Sequence, residues 1–229
     1  ILDPLERQQV IRDRAMQLAM AQGIAVKPDE ALVAENAGLV EWPVPLLGHI
    51  DAEFMDVPGE ALSSAMRKHQ KYFSLEDKDG HLASSFVMVA DMATADNGAA
   101  IIAGNERVLR ARLADAKFFW DQDRKQTLSS RTPALKHIVF HAKLGTLDEK
   151  ADRMQALAVE LCQYVPDSKR DRVRSAARLC KADLSTDMVG EFPDLQGVMG
   201  RYYALADGEE PEVATAIAEH YAPQGPGDI

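Results

Sequence analysis

The spacing of apolar residues changes near residue 100, and this change constrains the fold more than any single motif. Before it, apolar residues come in short, broken runs. "LVEWPVPLLGHIDAEFMDVP" is interrupted by Pro43, Pro45 and Pro58, which confine any strand there to a sheet edge or a short piece, because proline donates no ladder hydrogen bond. "KYFSL" and "LASSFVMVA" bracket the charged turn "EDKDGH", whose Gly80 tolerates positive φ, so this stretch reads as a β-hairpin. After Ala99 the apolar residues recur at intervals of three and four, the helical spacing. The expectation is an α+β chain: a small mixed α/β module over residues 1–103, then an all-α domain over 104–229.

Several helices can be placed individually. From Pro4 to Gln22, Val10, Ile11, Ala15, Leu18 and Ala19 form one apolar face, with Gly23 as the stop, and Glu60 to Lys68 is a short helix. Asn105 to Ser129 carries Val108, Leu109, Leu113, Phe118, Phe119 and Trp120 at helical spacing, and Pro133 restarts the chain. Thr146 and Glu149 in "TLDE" have the spacing of a capping box, followed by Leu147, Met154, Leu157, Ala158 and Leu161 as an expected buried stripe ending before Pro166. Val173, Ala177, Cys180, Leu184 and Met188 form a further stripe on one expected helix that stops at Phe192-Pro193. A last helix, Pro211 to Tyr221, buries Val213 and Ile217.

Composition excludes some functions. A net charge of −10 and a pI near 5.1 rule out a surface that is basic overall, so any contact with nucleic acid must be local. Cys162 and Cys180 lack CxxC spacing and lie on apolar stripes, which fits buried free thiols in a reducing compartment, the cytoplasm. No apolar run approaches the ~18 residues of a membrane span. Ile1 at the start and a turn-like Pro226, Gly227, Asp228 and Ile229 at the end suggest a piece of a longer polypeptide.

Candidate chemistry is sparse. Six histidines with Asp183 and Asp187 invite a metal-dependent hydrolase reading, yet no histidine is followed by aspartate, and the His137/His141 pair lacks the glutamate of an HExxH site. "LQGVMG" lacks the Gly-Lys-Ser/Thr ending of a phosphate loop, and no GxSxG nucleophile elbow occurs. Lys181 and Asp183 read as a partly buried polar network beside Gly190, Gly197 and Gly200, which permit close helix approach and a tight turn. Two cation clusters stand out in an acidic chain. One is Arg107, Arg110, Arg112 and Lys117 on the long helix, some of them to be neutralised by Glu106, Asp115, Asp121 and Asp123 on the same helix. The other is "RKHQKYF", with Arg67, Lys68, Lys71 and Tyr72, a mixture suited to gripping a phosphate backbone and stacking a base.

The blocks "EWPVPLLGHIDAEFMDVPGEALSSAMRKHQKYFSL", "GNERVLRARLADAKFFWDQDRK", "LGTLDEKADRM", "KADLSTDMVGEFPDLQGVMGRYYA" and "AIAEHYAP", in this order, resemble the beta subunit of the bacterial two-subunit glycyl-tRNA synthetase from about Leu39 onward. The resemblance implies a central part of that subunit: the end of a module like the B3/4 editing-like module of phenylalanyl-tRNA synthetase, then a helical domain of HD-phosphohydrolase type. It further implies that ATP, magnesium and the aminoacylation site belong to the alpha subunit, with no cofactor, metal or catalytic residue in this region. Its expected partners are glycine tRNA, the alpha subunit and the remaining beta domains, with no membrane. Where an HD helix would carry its His-Asp pair, this chain reads Arg178-Leu-Cys-Lys-Ala-Asp183, so Lys181, Asp183 and the later His220 are implied relics of a metal site. The expected function is tRNA binding and subunit assembly through Arg67, Lys68, Lys71, Tyr72, Arg107, Arg110, Arg112 and Lys117. The alternatives are a metal-dependent HD-type phosphohydrolase and a purely architectural docking module.

Overall fold

Helix α1 (Pro4–Ala21) opens the computed structural model, which describes residues 1–223 and 225. Asp3 starts it by accepting the Leu5 amide at 2.8 Å, Pro4 sits where its missing N–H costs nothing, and Ile11, Ala15 and Ala19 form its buried face. β1 (Ala25–Val26), α2 (Glu30–Leu39), β2 (Val44–His49), α3 (Gly59–Ala65), β3 (Phe73–Glu76) and β4 (Leu82–Ala90) follow.

The strands form one antiparallel sheet in the order β1-β3-β4-β2. β3 and β4 are the expected hairpin: Gly80 takes φ +80°, and the Asp77 carboxylate accepts the amides of Asp79 and His81, both at 2.9 Å. Pro45 lies in β2 at the sheet edge, the place its missing donor permits. Alternation along the strands divides the core. Phe73, Leu75 and Val87 pack with Ile11, Ala15, Leu32 and Val33 beneath α1 and α2, while Phe86 and Met88 are buried on the opposite face.

Helix α4 (Ala99–Asp123) is longer at its start and shorter at its end than the spacing suggested. Asp96 accepts the amides of Gly98 and Ala100 and so begins the helix six residues before Asn105, while Thr127 caps a separate helix, α5 (Leu128–Arg131). The chain forms two compact units, Ile1–Lys117 and Phe118–Ile229, which meet within the span of α4.

The second unit is mainly helical, as expected, with one departure. β5 (Val139–His141) and β6 (Gly145–Thr146) form a two-stranded ribbon where only helix was expected. That ribbon puts His141 on an exposed strand and His137 at the end of a 3₁₀ turn, so the two histidines do not share a helix face. Thr146 and Glu149 form the expected capping box at the start of α6 (Leu147–Leu161). The helix expected to run to Met188 is instead α7 (Arg170–Leu179), a 3₁₀ turn at Ala182–Ser185, and α8 (Asp187–Glu191). Thr186 breaks it by accepting the Val189 amide at 3.3 Å and capping α8. α9 (Val198–Ala206) and α10 (Pro211–Glu219) complete the unit, with Val213 and Ile217 buried as expected. The turn expected at Pro226 to Ile229 lies outside the described residues. No helix among the described residues is long and apolar enough to cross a membrane.

Candidate nucleic-acid interface

The eight candidate contact residues fall in the first unit, and most are already committed to partners within it. α3 runs into a single π-helical turn, Met66–Gln70, which closes at Lys71 in the left-handed conformation, φ +59°. This places the Arg67 guanidinium on Asp29, at 2.5 and 3.3 Å, and Lys71 on Glu35 at 2.7 Å. The Arg67 hydrogen bond holds the Asp29 carboxyl below its usual range, so this acid stays ionised and paired. Lys68 is exposed.

Tyr72 is not a stacking platform. It is 4% exposed, its ring lies against Phe86 with centroids 4.7 Å apart, and its hydroxyl donates to Asn105 at 2.5 Å. Burial pushes its phenol up to about 12.

On α4, Leu109, Leu113 and Ala116 face the core, and the cations divide into two groups. Arg110 forms a two-pronged pair with Asp51, at 2.5 and 3.3 Å, and this bond lowers the Asp51 pKa and raises that of Arg110. Lys117 contacts both oxygens of Asp56 at 3.0 and 3.2 Å. For Arg110 and Lys117, acids of the loop after β2, Asp51 and Asp56, take part in the neutralisation, and Glu106 one turn earlier on α4 adds to the field at Arg110. Glu106 accepts the His49 amide at 2.9 Å. Arg107 and Arg112 are left, both exposed and, among the described residues, without an ion pair or hydrogen bond. They flank a solvent-facing surface of Gly104, Val108, Ala111 and Asp115.

Asp123, also expected to serve that helix surface, is 1% exposed within the second unit. Its two oxygens accept the amides of Asp187 and Met188, each at 3.0 Å, the Tyr203 hydroxyl at 2.9 Å, and an Arg131 ion pair at 3.1 Å. It holds the N-terminus of α8 in place.

The second unit also brings together Lys181, Asp183 and His220, which are up to 39 positions apart in sequence. Lys181 Nζ lies 2.7 Å from His220 Nε2 and 3.6 Å from the centroid of the Tyr221 ring. His220 Nδ1 is 2.6 Å from the Ile217 carbonyl, so the imidazole donates from Nδ1 and accepts the lysine proton at Nε2. Burial lowers the His220 pKa, with the neighbouring ammonium adding to the effect, and lowers Lys181 to about 8. Asp183 Oδ2 accepts the amides of Gly197 at 2.6 Å and Gly200 at 3.2 Å. Asp183 Oδ1 is buried with no hydrogen-bond partner, and burial raises the carboxyl to about 6. Both glycines are required here. Gly197 has φ +79°, and a Cβ on Gly200 would lie 2.7 Å from the Ile217 side chain. Gly190 faces open space.

These donors do not suit a catalytic cation. The imidazole lone pair is taken by an ammonium, and one carboxylate oxygen is taken by two amides, so the arrangement gives no support to the phosphohydrolase reading. A tighter group of oxygen and nitrogen donors, Asp77, Asp79 and His81, lies on the exposed hairpin turn, where Asp77 already binds the turn's own amides.

A family model described as glycyl-tRNA synthetase beta subunit matches residues 1–229. Among curated relatives, the glycine--tRNA ligase beta subunit of Rhodospirillum centenum is 55% identical over 230 residues, covering 100% of this chain and 32% of the relative. Those of Phenylobacterium zucineum and Rickettsia typhi are 51% and 49% identical, again over 100% of this chain and 34% and 33% of their own lengths. The chain therefore spans about a third of the relatives it matches.

Proposed function

Since the chain belongs to the glycyl-tRNA synthetase beta subunit family, we propose that it is a tRNA-binding and assembly region of a glycine-tRNA ligase. In this reading it carries no catalytic residue. The alpha subunit supplies the aminoacylation chemistry with ATP and magnesium, and the assembled enzyme works in the cytoplasm. One observation supports the RNA contact above others: Arg107 and Arg112 remain uncommitted on the exposed face of α4, while Arg110 and Lys117 beside them are neutralised by Asp51 and Asp56. In a chain of net charge −10, two unpaired guanidiniums on one rigid helix are a local site for phosphate.

The test is to measure the affinity of the assembled alpha-beta enzyme for glycine tRNA over a range of salt concentrations, with Arg107→Glu and Arg112→Glu. Affinity is expected to fall, and the dependence of log K on log salt to lessen by about one for each phosphate that is no longer neutralised. Unchanged affinity and slope would remove α4 from the interface.

The assembly part of the reading is supported by α6. Leu157 and Leu161 are 61% and 46% exposed, followed by Tyr164 at 74% and Val165 at 55%. Four side chains cover far less than the roughly 800 Å² per partner that a freely diffusing protein needs. A segment held nearby by the same polypeptide needs less area, because tethering raises its effective concentration. The relatives are about three times as long as this chain, so the proposed occupant is the remainder of the beta polypeptide.

A further inference from the structure

The aromatic residue that the sequence offered for base stacking, Tyr72, is buried, whereas Trp42 is 58% exposed. Its position is imposed by the backbone: Asp91 Oδ1 accepts the amides of Glu41 at 2.6 Å and Trp42 at 2.9 Å, and Pro43 follows, itself buried. Among the described residues the indole makes no ring contact, cation contact or hydrogen bond. The two amide bonds fix the backbone at Trp42, and its exposed indole offers an aromatic face to a ligand.

Trp42 forms one wall of a groove of about 520 Å³ in the first unit, within the roughly 300–1,000 Å³ of small-ligand sites. The facing wall is α1, which presents Val10, Arg14 and Gln17, and Pro45 forms part of the groove beside Trp42. Arg14 and Gln17 are exposed and have no hydrogen-bond or ion-pair partner among the described residues. No acidic residue is among those lining the groove, although acids outnumber Lys and Arg by 36 to 26 in the chain. The nearby Asp91 has already committed one oxygen to two amides.

We infer that this groove takes one unpaired nucleotide of RNA, with the base on the Trp42 ring, its edge toward the Gln17 amide and its phosphate toward Arg14. The three groups match the three parts of a nucleotide: an aromatic face for a π-face, an amide donor-acceptor for a base edge, and a guanidinium for phosphate. Arg14 and Gln17 leave α1 three positions apart, so they project from the same face of the helix. This site lies apart from Arg107 and Arg112, and it rests on the reading of the family as tRNA-binding.

The experiment uses the assembled full-length enzyme and glycine tRNA, comparing Trp42→Ala, Trp42→Phe and Arg14→Gln with the Arg107→Glu/Arg112→Glu variant. Trp42→Ala is expected to weaken binding about tenfold or more, the usual scale for removing a base stack. It should leave the salt slope unchanged, because an indole releases no counterions. Trp42→Phe should restore most of the affinity, and Arg14→Gln should weaken binding with a smaller slope. If the Arg107/Arg112 variant loses affinity while Trp42→Ala does not, the groove inference is wrong and the RNA reading survives. If neither variant changes tRNA affinity, the RNA reading itself is lost. Trp42→Ala that impairs assembly of the enzyme with tRNA affinity intact would overturn the inference in favour of a protein occupant.

Discussion

At the scale of single residues, the two buried aspartates of the helical unit differ in how well they are satisfied. Asp123 meets two amides, a hydroxyl and a guanidinium. Asp183 has one oxygen bonded and the other buried alone, so ionising it is costly and its pKa rises from 3.8 to about 6. The sign of the consequence follows from proton binding. Between pH 3.8 and about 6 the folded state holds a proton that the unfolded state has released, so this residue's contribution to stability falls as pH rises through that window. His220, with a lowered pKa, acts in the opposite direction near its own titration, so only a comparison of variants isolates Asp183. Asp183→Asn is therefore expected to match or exceed the parent in urea midpoint at pH 7, with the difference shrinking below pH 4. Trp120 fluorescence in a Trp42→Phe background reports on this unit, since the chain has two tryptophans. Parallel pH curves for the two proteins would show that the carboxyl does not titrate as described.

At the scale of elements, what the sequence showed and what it hid have different physical causes. The β3–β4 hairpin, the Pro45 edge strand, the Thr146 capping box and the face of α1 were legible because each depends on neighbours in sequence. The break between α7 and α8 was not, because the Val173 to Met188 spacing fits a helix, and its interruption depends on Thr186 and on Asp123, which is 64 positions from Asp187. Tertiary partners also decided which cations were free: nothing local marks Arg110 as paired with Asp51, 59 residues away, or leaves Arg107 alone. The apolar stripe of α6 was real but faces outward at Leu157 and Leu161, while Leu147 and Ala151 at its other end are buried. Leu157→Asp with Leu161→Asp should thus change the urea stability of the 229-residue chain by no more than about 0.5 kcal/mol, as for ordinary surface positions. In the full-length beta subunit the same pair should increase protease cleavage around residues 157–165, because the covering segment no longer docks. Unfolding of the 229-residue chain by these substitutions would instead make Leu157 and Leu161 core residues.

At the scale of the whole molecule, the two units have different proposed roles. The first carries the uncommitted arginines and the exposed tryptophan, and the second carries buried polar clusters and an apolar outer stripe, a division suited to RNA contact on one and assembly on the other. The central claim is that the first unit touches the tRNA. Ultraviolet cross-linking of glycine tRNA to the assembled enzyme, followed by mass spectrometry of RNA-bearing peptides, tests it directly. Adducts are expected in the peptides containing Trp42 and Arg107 to Arg112; adducts confined to residues 118–229, or to regions outside this chain altogether, would contradict it.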